Sequence, residues 1–181
     1  LPAMLRRAGM KTATISSFPD RHAAWWFNGG FDECYNVGKR GLEPAHEVIP
    51  LALDWLDRKR ETKDWFLHLH VWDPHIPYRT PESYGKPFAD DPLPDPWMTR
   101  ELLDHHRRTK PGGHSACEVT GYDNVPNPAT PRQITEIKNL DDFKTMVDEY
   151  DTGVWYADQQ LGKVFGKLKE QGIYEDTAII I

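Results

Sequence analysis

Asp64-Trp65-Phe66-Leu67-His68-Leu69-His70-Val71, running directly into Trp72-Asp73-Pro74-His75-Ile76-Pro77-Tyr78, is the stretch that decides the fold class. Its first eight residues form a short apolar and aromatic run closed by a Pro-rich turn, the pattern of a buried strand. Side chains alternate across a strand, so His68 and His70 share one face. Buried strands of this composition belong to parallel sheets covered by helices. In such sheets the groups beyond the carboxyl ends converge on one crevice, so the Pro-rich turn is where function is expected.

The flanking segments repeat the alternation. Upstream, Ala3, Met4, Leu5 and Ala8 with Gly9 behind them predict the last turns of a helix, and Lys11 to Ser16 predicts a strand. Pro44 opens a helical stripe through Ala45, Val48, Ile49, Ala52, Leu53 and Leu56, with Pro50 expected to kink or restart it. Downstream, periodicity is lost from Arg79 to about Leu140, where prolines recur. That stretch is expected to be partly disordered or a covering loop with some short helices. Asp141 is expected to cap a long helix whose stripe runs from Phe143 to Leu168, with Gly172 as its stop. Thr177 to Ile181 then predicts a second buried strand. Helices alternating with strands favour right-handed crossovers and a mostly parallel sheet between helical layers. A domain rarely stops inside a central strand, so the 181 residues are expected to be a segment of a longer protein.

Composition narrows the function classes. The chain carries 28 acidic and 22 basic side chains, a formal net charge of −6 with its 8 histidines neutral. This balance argues against nucleic-acid partners, which need clustered Lys and Arg to displace counterions. No apolar run approaches the roughly 18 residues of a membrane span, and no apolar leader precedes Arg6-Arg7, so neither a membrane span nor a signal peptide is expected. Seven tryptophans argue against disorder throughout. Two cysteines, Cys34 and Cys117, leave the compartment open and have no general base at suggestive spacing. No Gly-rich phosphate loop is present.

Three groups carry candidate chemistry. His75, between Pro74 and Pro77, is held in a restricted backbone; it could bind an oxyanion when protonated, hand a proton to a leaving oxygen, or simply bond a nearby carbonyl. His68, His70, Asp73 and His75 also have the ligand types of a zinc site, although the spacing matches no specific motif; one of His68 and His70 would otherwise be interior and the other line the crevice. Ser16, Ser17, Asp20, Arg21 and His22 follow the first strand, and His22 reads more readily as a surface loop histidine than as a ligand. Trp25-Trp26 and Phe27 fit packing better than a ligand platform.

FLHLHVWDPHIPY at Phe66 to Tyr78 resembles the histidine turn of the sulfatases, in the alkaline phosphatase superfamily. LRRAGMKTATIS at Leu5 to Ser16 is similar to the sulfatase helix and strand that deliver a Lys/His loop to the active site. Tyr150 to Ile181 is similar to the long helix and strand that lead into the family's second metal motif. The resemblance implies an α/β, three-layer α/β/α sandwich with a mostly parallel, alkaline-phosphatase-like sheet, incomplete in this chain. Residues 1–181 would be part of one catalytic domain, with 79–140 an irregular insert within it. It implies hydrolysis of sulfate esters of small molecules or carbohydrates by a formylglycine nucleophile beside calcium, with His75 matching the histidine that contacts sulfate and assists the leaving group. His22, His70 and Asp73 are expected to bind substrate. A transferring tetrahedral oxyanion needs cationic donors and a proton for the departing alkoxide, which suits these residue types.

The departures are specific. The nucleophile motif C-x-P-S-R is absent, since Cys34 is followed by Tyr-Asn-Val and Cys117 by Glu-Val-Thr. The paired N-terminal aspartates of the metal site are absent as well, so nucleophile and metal ligands are expected outside this chain, in the remainder of its own polypeptide. The family's loop lysine is lost at Ser16-Ser17-Phe18-Pro19, leaving Arg21 or His22 to supply positive charge. The alternatives are a phosphodiesterase or phosphonate hydrolase of the same superfamily, a zinc-dependent hydrolase, and a non-catalytic interaction module built on the Pro-rich stretch.

Overall fold

The computed structural model describes residues 1–75, 78, 80–93, 98–109 and 137–181. In order, these form helix α1 (Pro2–Arg7), strand β1 (Lys11–Ile15), helix α2 (Phe18–His22), a 3-10 turn (Trp25–Asn28), strand β2 (Glu33–Tyr35), helix α3 (Ala45–Arg58) and strand β3 (Trp65–Leu69). A second 3-10 turn (Glu82–Tyr84), helix α4 (Arg100–Thr109) and helix α5 (Leu140–Glu170) follow. The chain divides into two units, residues 1–72 with 158–181 and residues 73–157.

The first unit is built on a parallel three-stranded sheet in the order β2-β1-β3, giving the mixed α/β architecture expected. Thr14 pairs with His68 and Ile15 with Leu69, while on the other side Ile15 pairs with Tyr35. This register sorts the side chains by face. Ala13 and Ile15, with Trp65, Leu67 and Leu69, pack against Val48, Ile49, Ala52, Trp55 and Leu56 of α3 and against Val164 and Leu168 of α5. Ile15, Ile49 and Trp55 are fully buried, each such side chain contributing about 1.5–3 kcal/mol by burial. The alternate residues Thr12, Thr14 and Ser16, equally buried, give the sheet a polar second face. At its near end Asp32 Oδ2 accepts from Thr12 N (2.9 Å) and Thr12 Oγ1 (3.0 Å), which joins the start of β2 to β1. The donated Thr12 N–H holds the Asp32 carboxyl below its ordinary pKa.

Four local expectations are corrected. Pro50 does not restart α3, which runs as one helix from Ala45 to Arg58. The apolar stripe buried beneath it outweighs the one backbone donor that proline removes. Asn139, not Asp141, caps α5, its Oδ1 accepting from Asp142 N at 2.9 Å. Two short elements, α2 and β2, occupy what reads as loop, because five and three residues are too few to show a period. Thr177 to Ile181 forms no strand among the described residues, and Ile180 and Ile181 are 96% and 97% exposed. A β-branched run becomes a strand only where another strand offers its backbone groups, which composition does not specify. By contrast α5 ends where expected. Gly172 is left-handed (φ +70°), its N–H donates to Lys169 O and that of Ile173 to Leu168 O, a Schellman closure.

The second unit contains its own core of Tyr78, Met98, Leu103, Ile137 and Phe143. The Pro-rich stretch thus holds a helix, α4, and part of this core; residues 110–136 lie outside the described set. Tyr84 packs edge-on against Trp155 and Tyr156, with ring centroids at 5.2 and 5.0 Å. No helix among the described residues is long and apolar enough to cross a membrane.

Candidate active site

The polar face of the sheet leads into a cluster at the carboxyl ends of β1 and β3. Because β1 and β3 are parallel and in register, their alternate side chains meet as rungs. Thr14 Oγ1 lies 3.0 Å from His68 Nδ1, and one step on, Ser16 Oγ lies 2.9 Å from His70 Nδ1. The two imidazoles stack with centroids 6.4 Å apart, as expected for positions two apart on one strand. Beyond them Trp72 Nε1 donates to Ser17 Oγ at 2.6 Å. The Trp72 ring lies 4.8 Å from the His70 ring and 6.0 Å from that of His22, and the Arg21 guanidinium sits 5.0 Å above it.

The loop before α3 closes on the same cluster. Gly41 has φ +84°, and a Cβ there would lie 2.8 Å from Arg21 Cδ and 2.9 Å from Trp72 Cε2. Both the backbone conformation and the space therefore require glycine. Two residues on, Glu43 is only 2% exposed, and its Oε2 accepts from Gly41 N at 3.0 Å. Burial pushes the pKa of His68 down. Burial also lowers His70, helped by the charges of His68 and His22 and opposed by the Glu43 carboxylate. Both rings are thus disposed to be neutral.

Of the candidate residues, His22 and His70 come together around Trp72, with Arg21 over its ring, and His68 stacks on His70. Asp73 and His75 belong to the second unit, directly after Trp72 in the chain. His75 is exposed, and its carbonyl accepts from Tyr78 N at 3.0 Å, closing the turn. Gly153 of α5 faces this turn, since a Cβ there would lie 2.8 Å from Pro74 Cβ. Ile76 and Pro77 are outside the described residues. Thr14, Gly41 and Glu43 were not evident as members of the site. Alternation places Thr14 on the face of Ser16 and so could have found it, whereas Gly41 and Glu43 arrive through a loop with no local signal.

The residues present do not fit the metal and nucleophile that the resemblance implies. Among the described residues no group of three or more His, Cys, Asp or Glu is placed to hold a metal ion. The Nδ1 atoms of His68 and His70 are already engaged by hydroxyls. Burial raises the thiol pKa of Cys34, the opposite of activation. Cys117 lies outside the described residues.

Comparison with known proteins agrees with the α/β fold. The sulfatase family model matches residues 1–181. An arylsulfatase of Clostridium perfringens (strain 13 / Type A) is 24% identical over 146 residues, covering 78% of this chain and 26% of the relative. The chain therefore spans about a quarter of the length of that curated relative. With its whole length matched by the family model, the chain belongs to the sulfatase family.

Proposed function

We propose that the protein containing this chain hydrolyses sulfate esters, and that this chain supplies part of the sulfate-binding and leaving-group machinery. The observation that supports this most directly is the sulfatase match over all 181 residues, and the turn after β3 carries an exposed histidine, His75. In this reading His70, His22 and Asp73 hold the substrate and His75 is the catalytic residue. As the ester S–O bond breaks and the sulfuryl group passes to a nucleophile supplied from outside this chain, the electron pair goes to the departing oxygen and a proton from His75 neutralises it. Arg21, held over Trp72, adds a fixed positive charge near His22.

The calcium and formylglycine of the family would be provided by the remainder of the polypeptide, given how little of the relative this chain covers. Residues 1–181 would then be part of one catalytic domain, with 79–140 as an insert that shapes the choice of ester. The test is turnover of an aryl sulfate, an aryl phosphodiester and an aryl phosphonate by the full-length protein and its His75→Ala variant. Sulfate cleavage that falls roughly 10²–10⁴-fold in His75→Ala is expected. Unchanged turnover would remove His75 from the mechanism, and preference for either phosphorus ester would move the protein to another branch of the superfamily.

A further inference from the structure

We infer that Ser16 is a positioning residue that keeps the proton of His70 on Nε2, so that this imidazole acts as a neutral hydrogen-bond donor toward a substrate oxygen. The final clause rests on the sulfate-ester reading; the proton's place does not.

The sheet fixes both residues. Ser16 N donates to Tyr35 O at 2.9 Å and His70 N to Ile15 O at 3.0 Å, so the two side chains face each other on neighbouring strands with little freedom. Ser16 Oγ, 2.9 Å from His70 Nδ1, also accepts from Phe18 N at 3.1 Å. A hydroxyl has one proton and two lone pairs. If it donates to Nδ1, the buried hydroxyl proton has an acceptor, and the ring proton must sit on Nε2 of the half-buried imidazole. If Nδ1–H donates instead, the hydroxyl proton has no acceptor among the described residues. At a side chain only 5% exposed such an orphan is costly, so the first arrangement wins.

The neighbouring rung repeats the logic. Thr14 is 1% exposed, and its hydroxyl faces His68 Nδ1 at 3.0 Å. The ionisable groups that act on His70 are His68 from the same strand, His22 from α2 and Glu43 from the loop before α3. Protonating Nδ1 would turn the Ser16 hydroxyl away from its acceptor, which reinforces the effect of burial. The pair of rungs therefore presents two neutral imidazoles whose Nε2 atoms carry protons. This arrangement can stabilise negative charge on oxygen without a change of protonation state.

Two-bond ¹H–¹⁵N histidine spectra of the full-length protein at mildly alkaline pH test this. His70 is expected with its proton on Nε2 and Nδ1 as an accepting nitrogen. Ser16→Ala should raise the Nδ1–H form severalfold, while Ser16→Thr, which keeps the hydroxyl, should retain the wild-type pattern. A wild-type proton on Nδ1 overturns the inference, as does a Ser16→Ala spectrum identical to wild type. Should Ser16→Ala fail to fold, wild type and Ser16→Thr still decide. With an aryl sulfate, Ser16→Ala is expected to raise KM roughly five- to tenfold with a smaller change in kcat, and Ser16→Thr to restore it. An Nε2–H spectrum in a protein that turns over no aryl sulfate would uphold the tautomer and overturn the substrate clause.

Discussion

Replacing Gly153 by alanine tests whether α5 positions the histidine turn. Alanine in a helix interior is ordinarily better than glycine by about 1 kcal/mol. The Gly153 position opposes that gain, because the added Cβ would sit 2.8 Å from Pro74 Cβ and 3.4 Å from Pro74 Cα. Ordinary carbon contacts begin near ~3.5 Å, so the proline ring or the helix must yield by roughly 0.7 Å. Overpacking of this kind costs about 1–3 kcal/mol. The expected net effect of Gly153→Ala is a loss of about 1 kcal/mol.

The same helix supplies the controls. A Cβ added at Gly162 or Gly166 would meet nothing within 4 Å, so alanine there should gain about 0.5–1 kcal/mol. Equilibrium denaturation of the three variants should therefore separate Gly153→Ala from the other two by about 1–3 kcal/mol. Because Pro74 immediately precedes His75, Gly153→Ala should also lower kcat/KM on the aryl sulfate by roughly ten- to a hundredfold. A Gly153→Ala variant as stabilised as Gly162→Ala and fully active would refute the contact and its role.

Two further outcomes follow from the cluster around His70. Burial holds His68 and His70 below their ordinary pKa of about 6.5, so the unfolded chain binds more protons. Stability from this source is complete above about pH 6.5 and falls as the pH drops from there toward the folded-state values; His68→Gln/His70→Gln should flatten the curve in that window, and a wild-type curve already flat would contradict it. Trp72→Phe keeps an aromatic ring, though a smaller one, and removes the donor to the 2% exposed Ser17, at a cost for that bond of about 1–2 kcal/mol. A double-mutant cycle with Ser17→Ala should return a coupling energy of about 1 kcal/mol, and additive losses would show that the bond contributes nothing.

Much of the frame was legible because it rests on periodicity. Residues 64–71 and 11–16 carry the apolar runs that become β3 and β1, and the stripe from Phe143 to Leu168 becomes α5. The spacing of His68 and His70 sufficed to put them on one face. The failures have a common cause. Whether Pro50 restarts a helix, or Thr177 to Ile181 forms a strand, depends on what packs or pairs against the segment, and local composition carries no record of that.

The candidate site divides in the same way. Sequence alone determined that a histidine-bearing turn follows a strand, that His68 and His70 point the same way, and that the turn resembles that of the sulfatases. Tertiary structure alone decided that Thr14 and Ser16 would be their hydroxyl partners, 54 residues away in each case. It also decided that Gly41 would admit Arg21 and Trp72, and that Glu43 would be buried among them. The physical reason is register. A strand's own alternation sets which face a side chain takes, but its partner is chosen by which residue of the neighbouring strand the backbone ladder places opposite.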